Sequence, residues 1–256
     1  MKTKELCRVI SQEMIGPEIY SMWLGAENIA EEARPGQFIS LYSKDKSRML
    51  PRPISLCEID KKECRIRLVY RIAGEGTREF SNLQPGDSVE VMGPLGNGFP
   101  MEEAVGKRVI LIGGGIGIPP MVETAKQLLG EVSVVSGYRD VLFLAEELSR
   151  YGKLYIATED GSSGTAGNVM DAVREQKIEG DIIFACGPRP MLRAIKSYAE
   201  EQNIPCWISM EEKMACGIGA CLACTCQAKE VDSHSQVRNK RVCKDGPVFL
   251  ASEVEL

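Results

Sequence analysis

Histidine is almost absent from this chain of 256 residues, where His234 stands alone. A Rieske centre and an H-E-x-x-H zinc protease each need two histidines, so both are excluded. His234 lies in the polar run Val231-Asp-Ser-His-Ser-Gln, which reads as a solvated loop and offers poor support for a Ser-His or Cys-His nucleophile. Hydrolytic catalysis is not expected. Long apolar runs are also missing, none reaching the roughly 18 residues of a membrane span. The start, Met1-Lys-Thr-Lys-Glu-Leu-Cys-Arg, lacks the apolar core and small-residue cleavage site of a secretion signal. Neither sign of charge dominates: 31 Lys and Arg face 36 Asp and Glu. That balance leaves no basic footprint for nucleic acid or an anionic membrane. The expectation is a cytoplasmic protein.

Cysteine, by contrast, is plentiful, and seven of the ten lie between residues 186 and 243. A chain this long does not need disulfide staples, so clustering in a reducing compartment points to metal. Cys216-Gly-Ile-Gly-Ala-Cys221-Leu-Ala-Cys224, followed after eighteen intervening residues by Cys243, has the C-x4-C-x2-C…C spacing of a plant-type [2Fe–2S] site. Gly217 and Gly219 let such a loop bend tightly around a cluster and aim amide N–H groups at its sulfurs. Zinc is the competing reading, although structural zinc sites usually come as two separated C-x2-C pairs. Cys226 falls outside the pattern and is expected to be a free thiol pointing away from the cluster.

Three textures follow one another along the chain. Residues 1–98 alternate short apolar runs (Gln37-Phe-Ile-Ser-Leu-Tyr, Cys64-Arg-Ile-Arg-Leu-Val-Tyr-Arg, Ser88-Val-Glu-Val-Met) with turn signals such as Pro35-Gly36 and Pro85-Gly86-Asp87. This predicts an antiparallel β-barrel. Residues 99–210 carry five β-type runs, at Val109, Val132, Leu154, Asp181 and Pro205, separated by helix-compatible stretches. This predicts an α/β domain with a five-stranded parallel sheet. Residues 211–256 form a small cysteine-loop domain held by its own cluster.

After the first of those five runs comes Gly113-Gly-Gly115-Ile-Gly117-Ile-Pro119-Pro120. Gly113, Gly114, Gly115 and Gly117 allow backbone amides to approach a pyrophosphate at a helix start, where proline is tolerated. The dinucleotide fingerprint G-x-G-x-x-G is not met, because its third glycine would fall on Ile118. A turn that merely packs helix on strand remains the alternative. In the barrel, Arg52-Pro53-Ile54-Ser55 offers a cation and a hydroxyl, and Val69-Tyr70-Arg71 with Gly76-Thr77 adds an aromatic, a second cation and a glycine turn. Cys186-Gly187-Pro188 sits at the carboxyl end of the fourth run, where such sheets bind ligands, and Glu159 and Asp160 follow the third.

In this order the motifs resemble the ferredoxin–NADP reductase superfamily, in which a flavin-binding barrel precedes a nicotinamide-nucleotide domain. Cys186-Gly-Pro-Arg-Pro-Met191, Met214-Ala-Cys-Gly-Ile-Gly-Ala-Cys-Leu-Ala-Cys224 and Val242-Cys-Lys-Asp-Gly-Pro-Val-Phe249 narrow the resemblance to the electron-transfer subunits of B-type dihydroorotate dehydrogenases. The resemblance spans essentially the whole chain. It implies that Arg52, Pro53, Ile54, Ser55, Val69, Tyr70, Arg71, Gly76 and Thr77 hold FAD, and that Cys216, Cys221, Cys224 and Cys243 hold the [2Fe–2S] cluster. It implies a Cys186 thiol close to the nicotinamide, with a small buried residue as the equal alternative. Glu159 or Asp160 would accept from a ribose hydroxyl or simply cap the loop, while Tyr138-Arg139 suits a 2′-phosphate, so the preference for NAD rests on the resemblance. The implied partner is an FMN-containing dihydroorotate dehydrogenase catalytic subunit, joined in a heterotetramer. Electrons would pass from dihydroorotate through FMN, cluster and FAD to NAD, in pyrimidine biosynthesis. A transhydrogenase or sulfide dehydrogenase type of NAD(P)H–ferredoxin oxidoreductase is the nearer rival, and a zinc-binding interaction module the distant one.

Overall fold

The computed structural model describes residues 2–231 and 236–256, so His234 lies outside the described residues. Six strands close a barrel: β1 (Thr3–Gly16), β2 (Ile19–Gly25), β3 (Phe38–Tyr42), β4 (Arg52–Asp60), β5 (Arg65–Arg71) and β6 (Ser88–Leu95), paired in the order β1-β2-β5-β4-β3-β6. All the pairings are antiparallel. Alternation sets the two faces: Cys7 and Val9 of β1 enter the barrel while Leu6 and Ile10 stay outside. Helices α1 (Glu27–Glu32) and α2 (Glu75–Ser81) fill the connections after β2 and β5.

The second unit alternates strand and helix: β7 (Val109–Gly114), α3 (Pro119–Gln127), β8 (Val132–Tyr138), α4 (Ala145–Leu148), β9 (Lys153–Thr158), β10 (Thr165–Ala166), α5 (Val169–Glu175), β11 (Ile182–Cys186), α6 (Arg189–Gln202) and β12 (Cys206–Ser209). Every residue of β7 and β11 is buried, as expected of central parallel strands covered on both faces. The five expected parallel strands are present, but the sheet has seven, in the order β10-β9-β8-β7-β11-β12-β15. The short β10 adds to one edge. Strand β15 (Val248–Leu250) adds antiparallel to the other, pairing Trp207 with Leu250 and Ser209 with Val248. A three-residue strand has too little alternation to be seen in sequence, and here it covers the edge that β12 would otherwise leave unpaired. The strand order reverses between β7 and β11, which opens a crevice at their carboxyl ends. The cysteine segment adds only a two-stranded ribbon, β13 (Thr225–Gln227) with β14 (Asn239–Arg241). No helix among the described residues is long and apolar enough to cross a membrane.

Barrel and sheet are joined by polar contacts as well as apolar ones. The Glu123 carboxylate on α3, itself 1% exposed, accepts the Ile59 N–H of β4 at 2.7 Å. Arg67, on β5, is ion-paired with Glu58 at 2.9 Å and with Glu147 of α4 at 2.5 Å, its side chain only 8% exposed. Phe99 stacks on Phe184 with ring centroids 4.9 Å apart. Removing the cation would leave Glu147 without its partner and Glu58 with only the more distant Lys126, at 3.8 Å. Arg67→Met is therefore expected to cost about 3 kcal/mol, the low end for breaking a buried pair because Glu147 is partly solvated. Urea unfolding measures this, and a loss below about 1 kcal/mol would mean that water already satisfies both glutamates.

Candidate cofactor sites

A cavity of about 340 Å³ opens where the barrel meets the sheet. Arg52, Pro53, Ile54, Ser55, Val69, Tyr70, Arg71 and Thr77 all line it, so the two barrel motifs, distant in sequence, form one wall. Arg52 starts β4, and its Nη1 donates to the Leu50 carbonyl at 2.5 Å. Its guanidinium lies across Gly76, where an added Cβ would sit 2.7 Å from Nε. Gly76 does not line the cavity; it makes room for the arginine. Thr77 Oγ1 accepts the Ala73 N–H at 2.8 Å and donates to the Gly74 carbonyl at 3.0 Å, which stiffens the turn. The Tyr70 ring is already stacked on Tyr20, with 6.0 Å between centroids, and its hydroxyl donates to Gln12 Oε1 at 3.0 Å. Tyr70 thus belongs mainly to the barrel interior, where burial pushes its phenol above the usual range.

The opposite wall was not anticipated from sequence: Ile116, Ser209, Met210, Glu211, Glu212, Met214 and Pro247. The available signal was positional, since Ser209 to Glu212 leave the carboxyl end of the fifth parallel run. Glu211 is open to the cavity yet surrounded by its walls, and that desolvation raises its carboxyl above the ordinary range. Glu212 is ion-paired with Arg189, the first residue of α6.

A second cavity, of about 550 Å³, runs along the carboxyl edge of the sheet. Gly114, Gly115 and Glu159 line it, together with Tyr138, Arg139, Asn168 and Met191. Gly113 and Gly117 serve packing instead. A Cβ on Gly113 would press on Ile118 at 3.0 Å, and one on Gly117 would lie 2.4 Å from the Cys186 carbonyl oxygen. Asp160 does not reach the cavity; its carboxylate accepts from the Ser162 hydroxyl at 2.7 Å and the Ser162 N–H at 3.0 Å. Cys186 lines neither cavity and is 1% exposed. It pairs with Ser209 across the sheet, and burial, with Glu211 nearby, pushes its thiol up to about 12. Arg71 lines both cavities.

The cysteine loop places its thiols in two pairs. Gly217 and Gly219 hold φ of 68° and 86°, where a side chain would be strained, so the loop turns back at both. Cys216 Sγ accepts N–H groups from Ile218 at 3.5 Å, Ala220 at 3.3 Å and Cys221 at 3.4 Å, and the Cys216 N–H points at Cys221 Sγ at 3.5 Å. Partial burial opposes ionisation of Cys216, but those donors prevail and bring its thiol down to about 6. The second pair is internal: Cys243 donates its N–H to Cys224 Sγ at 3.4 Å, and burial and then Cys224 push the Cys243 thiol up to about 12. No three His, Cys, Asp or Glu side chains among the described residues surround one point as a single ion requires. Two thiol pairs supply the four thiolates that a two-iron cluster would need. Cys226, in β13, is buried and enters none of these sulfur contacts.

The sheet's crevice depends on the closeness of the turns at Gly117 and Cys186. Gly117→Ala is expected to destabilise the protein by about 1–3 kcal/mol, because the methyl meets backbone that has to move. Thermal unfolding reads this directly, and an unchanged transition would show that the turns part without cost.

Fold and sites together define a flavin- and nicotinamide-dependent oxidoreductase of the ferredoxin–NADP reductase type, extended by an iron–sulfur domain. A sequence profile for the iron–sulfur cluster binding domain of dihydroorotate dehydrogenase B matches residues 211–255, and one for the oxidoreductase NAD-binding domain matches residues 111–197. The chain is 45% identical to the dihydroorotate dehydrogenase B (NAD(+)) electron transfer subunit of Bacillus caldolyticus, over 99% of each chain. It is 43% identical to that of Listeria monocytogenes serotype 4a, over 97% of this chain and 98% of the other. Among solved structures, a chain of an NADH-dependent reduced ferredoxin–NADP oxidoreductase superposes with a TM-score of 0.85 at 28% identity, covering 98% of this chain and 90% of that one. The ferredoxin NADP+ reductase of Neisseria gonorrhoeae, at 13% identity and a TM-score of 0.63 over 77% of this chain and 91% of that one, shares the fold. The chain belongs to the family of electron transfer subunits of dihydroorotate dehydrogenase B.

Proposed function

We propose that this chain relays electrons between a catalytic partner subunit and NAD(H) in an NAD-dependent dihydroorotate dehydrogenase, using a [2Fe–2S] cluster and FAD. The observation that carries the reading is convergence. Met214, two residues ahead of Cys216, walls the first cavity, and the second cavity meets the first at Arg71. When bound, FAD exchanges electron pairs with nicotinamide and single electrons with a [2Fe–2S] cluster, which joins the two kinds of carrier.

The chain's own residues bind and orient. Arg52, supported by Gly76 and the Thr77 turn, supplies a charge-assisted contact for a flavin phosphate. Pro53, Ile54, Ser55 and Val69 form the wall against the flavin, with Tyr70 behind. Gly114 and Gly115 bring backbone amides to the nucleotide, and Gly113 and Gly117 keep helix and strand close enough for that. Glu159 accepts from a ribose hydroxyl, and Asp160 holds the turn that presents it. Cys186, a neutral thiol under the cavity floor, packs beneath the nicotinamide end rather than acting as a nucleophile. Cys216, Cys221, Cys224 and Cys243 hold the cluster. Its Cys221 side is exposed beside Ile218 and Leu222, which are 43% and 60% exposed, and this face is assigned to the partner.

Dihydroorotate oxidation is assigned to an FMN-containing catalytic subunit, since the two cavities described above are assigned to flavin and nucleotide. All ten cysteines are free, which supports work in a reducing cytoplasm. The likeness to the NADH-dependent ferredoxin–NADP oxidoreductase chain supports a second reading, a subunit of that type of enzyme. Two experiments decide. The purified chain is expected to bind one FAD and about two irons; Cys243→Ser should lose the iron and Cys226→Ser should keep it. Iron retained in the first variant, or lost in the second, would mean that the fourth ligand is misassigned. Second, the chain alone should reduce ferricyanide with NADH yet form no orotate from dihydroorotate and NAD+, and the FMN subunit should restore that reaction. Orotate formation without the partner, or strong preference for NADPH, would overturn the reading.

A further inference from the structure

We propose that Arg71 binds both dinucleotides at once, its guanidinium serving a phosphate of FAD in one cavity and the nicotinamide-side phosphate of NAD(H) in the other. The inference rests on the assignment of the two cavities above and goes beyond it by joining them through one side chain.

Three observations place the residue in this role. Among the lining residues, Arg71 alone belongs to both cavities. Its backbone is fixed at the end of β5, in register with Ile19 of β2, so the side chain starts from a rigid strand and not from a mobile loop. Its exposed guanidinium also has no ion pair or side-chain hydrogen bond among the described residues. Arg139 is likewise without a side-chain partner among the described residues but lines only the second cavity, whereas Arg189 is held by Glu212 and Arg52 by the Leu50 carbonyl. A free guanidinium carries five donors in a planar fork, enough to serve two phosphate groups on different sides. Two anionic dinucleotides meeting end to end repel one another, and a cation at their junction offsets that repulsion for both. The carboxyl of Glu211, unpaired among the described residues, also lines the first cavity and adds to the need.

The test uses the full chain loaded with FAD, with Arg71→Gln and Arg71→Lys as variants. Affinities for NAD+, ADP-ribose and AMP are read by equilibrium titration, and FAD affinity by flavin release on dilution. Loss of charge-assisted hydrogen bonds predicts that Arg71→Gln weakens NAD+ and ADP-ribose by about 10- to 100-fold and weakens FAD by at least about 10-fold. AMP, which lacks the second phosphate, should change less than about twofold, because its one phosphate lies away from the junction. Arg71→Lys should recover part of both losses, keeping the charge without the fork. An unchanged NAD+ affinity, an unchanged FAD affinity, or an equal loss for AMP would each overturn the shared role. Failure of the unsubstituted chain to bind FAD or NAD+ at all would instead sink the assignment of the cavities.

Discussion

A single return of the chain, from Cys243 to Leu250, holds the three sites in one geometry. Asn97, just past the last barrel strand, donates its N–H to the Gly246 carbonyl at 2.6 Å and its side-chain amide to the Asp245 carbonyl at 3.0 Å. Pro247 then walls the first cavity, and Val248 to Leu250 complete the edge of the parallel sheet. The space is fully used. A Cβ on Gly246 would come within 2.3 Å of the Phe249 ring, and one on Gly96 within 2.4 Å of Pro247. Because the same eight residues begin with Cys243, whose N–H is bonded to Cys224 Sγ, the inner thiol pair, the wall of the first cavity and the sheet edge cannot shift independently.

That arrangement matters for electron transfer because separation between carriers must be kept short and dry. Cys224 and Cys243 share one apolar core with Phe38 and Leu95 of the barrel and Phe249 of the sheet. The inner thiol pair is therefore continuous with the wall of the first cavity, which Phe38 also lines, while the Cys221 side of the loop stays open. Interior packing at native density leaves little room for water along this inner route. The polar contacts serve a different purpose. The Arg67 ion pairs and the Glu123 contact to Ile59 are satisfied within the protein and fix barrel against sheet, whereas the exposed guanidinium of Arg71 has no such partner among the described residues.

Residues close in sequence and constrained by covalent spacing were readable in advance. The C-x4-C-x2-C run identifies its own chemistry because a small cluster admits few spacings, and β7, β8, β9, β11 and β12 announce themselves as apolar runs of strand length. The barrel motif starting at Arg52 and the glycine turn after β7 also lie in the cavity walls they suggest. Three-dimensional proximity decided the rest. Gly76 and Gly117 look like ligand-binding glycines, yet both make room for neighbours far away in sequence, Arg52 and Cys186. Glu159 and Asp160 are adjacent and chemically alike, and only a local turn bonding Asp160 to Ser162 separates their fates. Local spacing thus determined the iron–sulfur chemistry of the cysteine run and the principal strands, because ligation and strand formation depend on near neighbours, whereas FAD and NAD followed from the order of the motifs and the resemblance it carries. Only the folded structure decided which side chains share a cavity, which thiols pair, and that Arg71 lines both cavities, because those contacts join segments that no local pattern connects.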